Sequence, residues 1–205
     1  MSKSEIAIEL SKLQGFEEAK AREEQYVTDP EIAGEVLWFA KMNGDIEDKQ
    51  IADLGAGTGY LGIGSLLLGA KFVWLVEKDQ DAVKILKENL DKFEYEGQFE
   101  ILGTEISNFT HKCDVVIQNP PFGTKEAHAD KEFLEKAFEI APIIYTFHKT
   151  STKGFVEAIS KDHNYKITHQ LDFDFPIKAT MDFHEKRIEK IKVSCFRLTQ
   201  DQTER

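Results

Sequence analysis

Cysteine is scarce in this chain of 205 residues, and the two present, Cys113 and Cys195, each sit in an apolar, strand-like run. They read as buried reduced thiols rather than as a disulfide or a ligand pair, which implies a reducing, cytoplasmic setting. His111, His128, His163 and His169 are scattered without metal-ligand spacing, so no metal is assigned. No apolar run approaches the roughly 18 residues of a membrane span, and nothing near the N-terminus has the apolar core of a signal peptide. A soluble, intracellular protein with no membrane partner follows. Basic charge is also in deficit: 26 Lys and Arg face 37 Asp and Glu, a net charge of −11. That balance opposes the simplest polyanion-binding surface, because neutralising phosphates normally takes Lys and Arg. Internal repeats, low-complexity tracts and linkers are absent too, and with them any separate target-recognition domain. What remains, at 41% hydrophobic residues, is enough to bury a large core without staples or metal.

The most informative segment is Asn119-Pro120-Pro121-Phe122, directly after the apolar run Val115-Val116-Ile117. Two prolines fix φ and cannot donate to a ladder, so a strand stops here and holds Asn119 in a rigid turn at its carboxyl end. Open α/β sheets bind ligands at that edge. The Asn side-chain oxygen and the following carbonyl are two acceptors able to hold a planar amino group by its two hydrogens, and an aromatic ring nearby can stack on the system bearing it. The alternative is a strand-ending turn with a buried Phe.

Upstream, Asp53-Leu54-Gly55-Ala56-Gly57-Thr58-Gly59-Tyr60-Leu61-Gly62 links a short apolar strand to a helix-like stretch. Glycines so spaced let backbone approach a ligand and leave helix N-terminal N–H groups for an anion, here a carboxylate. Gly57-x-Gly59-x-x-Gly62 also satisfies the dinucleotide fingerprint, and Glu77 lies 20 residues beyond Gly57, as expected of a ribose-binding acid. Alone, the loop does not separate a nicotinamide cofactor from S-adenosylmethionine. The amine clamp at Asn119 favours methyl transfer, since hydride transfer has no use for one.

Periodicity supplies the frame. Ile6, Leu10 and Leu13 repeat at helical spacing, as do Ala33, Val36, Leu37 and Ala40 after Pro30, and these two helices are expected to cover the sheet edge near the cofactor. Residues 51–54, 72–77, 99–102, 115–118 and 143–147 read as buried parallel strands, with helices over 60–68, 79–91 and 131–140 between them. Residues 165–175 and 189–198 read as a closing pair joined by a polar loop over 176–185. The fold class is α/β: a doubly wound, mostly parallel, seven-stranded Rossmann-like sheet with two N-terminal helices and a C-terminal antiparallel strand pair. One domain spans 1–205, with a helical cover at 1–45, a cofactor-binding core at 50–150 and the closing pair at 164–198.

Loop, acid and Asn-Pro-Pro-Phe in this order resemble an amino-directed class I methyltransferase dependent on S-adenosylmethionine. Glu24-Gln25-Tyr26-Val27-Thr28, the full Asn119-Pro-Pro-Phe-Gly-Thr-Lys125, Phe147-His148-Lys149-Thr150-Ser151-Thr152, and the closing Asp174-Phe-Pro and Phe183-His184-Glu-Lys186 narrow the resemblance to the methyltransferase-like protein five family. It runs from about Leu13 to Leu198. It implies methylation of the N6 amino group of an adenosine in small-subunit ribosomal RNA. It further implies Asn119, Pro120, Pro121 and Phe122 at the acceptor base, with Gln25 and Thr28 closing over the cofactor. Glu105 with Ile106 resembles the family's acidic position at the cofactor adenine, although Asp is commoner there and a surface Glu is the alternative. Asp53, Gly55, Gly57, Thr58, Gly59, Tyr60 and Glu77 complete the expected cofactor site. Chemically, guanine N2, DNA adenine or a protein glutamine are alternative acceptors. For the last, the fourth residue of the motif is usually Tyr.

Acid is concentrated early, at Glu17, Glu18, Glu23, Glu24, Asp29 and Glu31. Basic residues gather at Lys149, Lys153, Lys161 and Lys166 and again at Lys186, Arg187, Lys190 and Lys192. If RNA is the substrate, these should line one rim of the carboxyl edge, with His148, Lys149, Lys153, His184 and Lys186 as its contacts; solvated faces are the alternative. Eukaryotic members of the resembled family pair with a small zinc-binding activator across a sheet edge, and the acidic charge here fits a need for such help.

Overall fold

The computed structural model describes residues 1–16, 28–121, 129–178 and 188–201. Strands β1 (Gln50–Leu54), β2 (Phe72–Val76), β3 (Gln98–Leu102), β4 (Val115–Gln118), β5 (Ile143–Lys149), β6 (Tyr165–Lys178) and β7 (Ile188–Gln200) form one seven-stranded sheet in the order β3-β2-β1-β4-β5-β7-β6. The first five pair in parallel; β7 runs antiparallel to β5 and to β6. The chain leaves β1 toward β2 and β3, then returns to place β4 on the other side of β1, so the order reverses between β1 and β4. Such a switch point opens a crevice outside the carboxyl ends of the strands.

Strands β1, β2, β4 and β5 are buried on both faces, whereas β3, expected to be buried, forms a sheet edge and exposes its first three residues. Ile51, Val73, Val115 and Ile117 pack in one core with side chains of the helices α1 (Lys3–Ser11), α2 (Pro30–Met42), α3 (Tyr60–Leu67) and α4 (Gln80–Leu90). Ala52, Leu54, Trp74, Val76 and Val116 pack in the other with α5 (Ala129–Ile140) and α6 (Lys153–Asp162). The one-residue offset between the two sets is the period-2 alternation of a strand.

Local signals place the first two helices. Ser2 and Glu5 form a reciprocal capping box at α1, and Asp29 Oδ1 accepts from Glu31 N at 2.9 Å ahead of Pro30 in the first turn of α2. Both helices lie across a face of the sheet, packed with α3, while Thr28, just ahead of α2, reaches the carboxyl edge. Asp45, beyond α2, is bolted to the sheet: its Oδ2 accepts from Tyr145 Oη at 2.6 Å and Arg197 Nε at 2.8 Å.

Three other elements depart from the sequence reading. Strand β5 runs on to Lys149 because β7 pairs with it to the end, His148 opposite Ser194 and Lys149 opposite Val193. Strand β6 continues through Pro176, expected in the loop, to Lys178; as the edge strand it can lose a donor on its open side. Helix α6 was not expected at all. It buries Val156, Ile159 and Ser160 on a single short stripe.

Candidate active site

The glycine loop leaves β1 on the rim of the switch point. Gly55, Gly57 and Gly59 have φ of +71°, +55° and +99°, values a side chain resists, and Gly55 N and Ala56 N both donate to Val76 O across the end of β2. A Cβ on Gly57 would lie 3.6 Å from the Phe16 ring, an ordinary contact, so it is the positive φ and not a lack of space that favours glycine there. Glu77, one residue beyond β2, clamps the loop: Oε2 accepts from Gly57 N and Oε1 from Asp79 N, each at 2.8 Å. Burial raises its pKa above the ordinary carboxylate value, and the two N–H donors oppose the shift.

Beneath the loop, Asp53 is 1% exposed and accepts from Gly62 N at 2.7 Å, the first turn of α3. Burial pushes its pKa up to about 7; the Gly62 N–H pulls it down and the Glu77 charge adds to the rise. A carboxyl poised there would be held ionised by a ligand cation.

Across the crevice, β4 ends at Gln118, level with Leu54 of β1. The next residue, Asn119, donates from Nδ2 to Thr28 Oγ1 at 3.0 Å, while its Oδ1 is buried with no hydrogen-bond partner among the described residues. An orphaned buried acceptor is costly in a native fold unless a ligand satisfies it. Thr28, Asp53, Gly55, Gly57, Thr58, Tyr60 and Asn119, all expected from sequence, line one pocket together with Phe16, Ala56 and Leu61, which were not.

The strap carrying Phe16 is fixed by side chains remote in sequence. Tyr60 Oη donates to Leu13 O at 3.0 Å; buried Asn89 exchanges bonds with Gln14 N and O, each 2.8 Å, and donates to Thr58 O at 2.9 Å. The signal for Asn89 was a polar residue three after Leu86 on the apolar stripe of α4, where it must be partnered.

Other expected residues do not line that pocket. Glu105 is exposed and ion-paired with Lys78 at 3.6 Å, and the adjoining Ile106 packs against the core on the α5 side of the sheet. Pro120 is buried and Pro121 half-buried. His148, expected to face RNA, is instead 2% exposed: its Nε2 lies 2.9 Å from Thr146 Oγ1, which accepts from Gln118 Nε2 at 3.1 Å. Burial lowers its pKa to about 4, so the ring is neutral. Lys149 and Lys153 do lie at the carboxyl end of β5, and Lys192, next to Val193, joins them. Lys161 and Lys166 do not, because α6 carries the chain back to the opposite edge, where Lys166 sits opposite Thr199 and pairs with Asp201 at 3.3 Å. Gln25, Phe122, His184 and Lys186 lie outside the described residues. No described helix is long and apolar enough to cross a membrane.

Sheet order and cradle together define an S-adenosylmethionine-dependent methyltransferase, with the loop, Asp53 and Asn119 providing a chemical fit for that cofactor. Residues 33–142 match the methyltransferase small domain, and the chain belongs to that family. It is 34% identical over 206 residues to the rRNA N(6)-adenosine-methyltransferase METTL5 of Danio rerio, covering 97% of this chain and 99% of that one. The crystal structure of PH1948 from Pyrococcus horikoshii, a proposed RNA methyltransferase, matches with a TM-score of 0.90 and 46% identity over 98% of both chains. Magnesium protoporphyrin IX methyltransferase from Synechocystis PCC 6803, solved with bound SAM, shares the fold alone, with a TM-score of 0.64 at 15% identity over 82% of this chain and 78% of that one.

Proposed function

We propose that this protein methylates the N6 amino group of an adenosine in structured RNA, and that this RNA is the ribosomal RNA of the small subunit. The observation that carries the reading is the buried, unpartnered Oδ1 of Asn119 in the pocket that the glycine loop also lines. Near-full-length similarity to METTL5 supports ribosomal RNA as the substrate.

S-adenosylmethionine supplies an electrophilic methyl group, its S–C bond breaking toward sulfur as the new N–C bond forms. The chain's own task is positioning. An adenine amine has its lone pair delocalised into the ring; Asn119 Oδ1 and the Pro120 carbonyl, accepting one hydrogen each, favour the pyramidal nitrogen that attacks. A neutral amide takes up no proton, so the surplus proton leaves to water and no strong base is needed. Phe122 stacks on the base, which is drawn from an unpaired or distorted position at a cost of a few kcal/mol. Glu77 accepts the ribose hydroxyls, Gly55, Gly57, Thr58, Gly59 and Tyr60 meet the cofactor along the loop, and Gln25, Glu105 and Ile106 complete its surroundings. Lys149, Lys153, His184 and Lys186 hold RNA phosphates near the carboxyl edge.

One domain performs this chemistry in the cytoplasm, a setting supported by two buried free thiols. A small zinc-binding activator adds a strand to a sheet edge; two edges are on offer, β6 and β3, the latter bearing exposed Phe99. The test is incubation with labelled cofactor and total RNA, DNA and protein, followed by digestion. Label in N6-methyladenosine of the small-subunit RNA is expected. Label in guanosine, deoxyadenosine or glutamine would replace the acceptor.

A further inference from the structure

Carboxamides have two faces of opposite character, and only one suits an amine. Turned one way, Asn119 offers Oδ1 to an amine hydrogen; turned the other, it sets NH₂ against NH₂. Something must bias the turn. The described partner of its Nδ2 is Thr28 Oγ1, at 3.0 Å across 91 residues of sequence. Thr28 is itself 6% exposed and stands beside Asp29, whose side chain takes Glu31 N at 2.9 Å and Ile32 N at 3.3 Å at the start of α2. That hydroxyl is therefore held by a capped helix end and not by a loose loop.

We infer that Thr28 is a positioning residue for the methyl-transfer step: its hydroxyl oxygen engages Asn119 Nδ2 and so turns the buried Oδ1 toward the acceptor amine. The inference rests on the amine-clamp reading of Asn119 and assigns the hydroxyl to Asn119 rather than to the cofactor. Removing it strands Nδ2 and releases the carboxamide to rotate. The backbone and outline of residue 28, which lines the pocket with the loop, are kept by an isosteric change, so affinity for the cofactor alters little.

The test compares wild type with Thr28→Val, which keeps the shape, and Thr28→Ser, which keeps the oxygen. For Thr28→Val, kcat is expected to fall about tenfold while the calorimetric Kd for S-adenosylmethionine stays within about twofold; Thr28→Ser should recover most of the rate. In ¹⁵N-labelled protein the side-chain NH₂ signal of Asn119, assigned by its loss in Asn119→Ala, should shift in Thr28→Val and return in Thr28→Ser. Unchanged kcat in Thr28→Val, a weakened Kd without loss of rate, a Ser variant as slow as Val, or an unmoved Asn119 signal would each overturn the inference. Rates are taken on whichever product wild type forms, so a product other than N6-methyladenosine sinks the adenine reading while the Thr28 comparison still decides. The NMR comparison decides without turnover.

Discussion

Replacing Glu77 by glutamine is nearly isosteric, yet it should damage the cofactor site almost as much as truncation does. Both carboxylate oxygens already accept backbone N–H groups, Gly57 N on one and Asp79 N on the other, each at 2.8 Å. A glutamine amide can satisfy one of these only by turning its NH₂ against the other, so either orientation leaves donor facing donor. One lost bond with a stranded donor costs about 1–3 kcal/mol, and because Gly57 belongs to the cradle, this appears as about a 5- to 150-fold rise in cofactor Kd. Glu77→Ala removes both clamps and the ribose acceptors together, and binding should vanish from a calorimetric titration. Gln and Ala should thus resemble each other more than either resembles wild type. A Glu77→Gln protein that binds S-adenosylmethionine within about twofold of wild type would refute the clamp, since one H-bond of even the weakest class exceeds that change.

Asn119→Ala should lower turnover by about two to three orders of magnitude with cofactor Kd little changed, the cost of losing one preorganised acceptor of the transition state; near-normal turnover would refute the mechanism. For Asp53, the folded pKa of about 7 lies above the ordinary 3.8, so the native state holds an extra proton between these values: stability declines as pH rises through that window and flattens above it. Affinity for the cationic cofactor should run the opposite way, rising up to about pH 7, and Asp53→Asn should reduce both slopes in thermal melts and titrations to what Glu77, whose pKa is also raised, contributes. Arg197→Met leaves the Asp45 carboxylate buried with its Tyr145 bond but without the 2.8 Å guanidinium contact. That should cost about 3–5 kcal/mol and lower Tm by about 6–20 °C. The triple change Asp45→Leu, Tyr145→Phe, Arg197→Met should recover most of that loss, and a single variant that melts like wild type would contradict it.

What could be read in advance was chemistry confined to one stretch of chain. Proline pairs stop strands and glycine spacing shapes a βα turn wherever they fall, so the positions of Asn119 and of Gly55 to Gly62 followed from neighbours in sequence, as did the strand order's alternation with helices. Pairing across long separations was not accessible. His148 reads as an RNA contact at a strand end because nothing local announces that β7 will lie beside it, and the link from Thr28 to Asn119 spans 91 residues. Helix α6 escaped because Val156 and Ile159 give its apolar stripe little length, and its return path split a run of lysines that is contiguous only in sequence. Phe16 reached the pocket through bonds made by Tyr60 and Asn89, neither of which advertises a partner near Leu13.

Gly62, which does not line the pocket, leaves almost no room for a side chain between α3 and the sheet. A methyl group there would press on buried Leu75 Cδ2 and come within 3.0 Å of Asp53 Oδ2. Leu75, on the strand next to the sheet's β3 edge, takes the harder contact, and the carboxylate, which accepts from Gly62 N at 2.7 Å, is pressed from the same side. The seam where α3 meets β1 and β2 thus works like a spacer of fixed thickness, and an alanine at position 62 would act as a wedge between helix and sheet beneath the binding crevice.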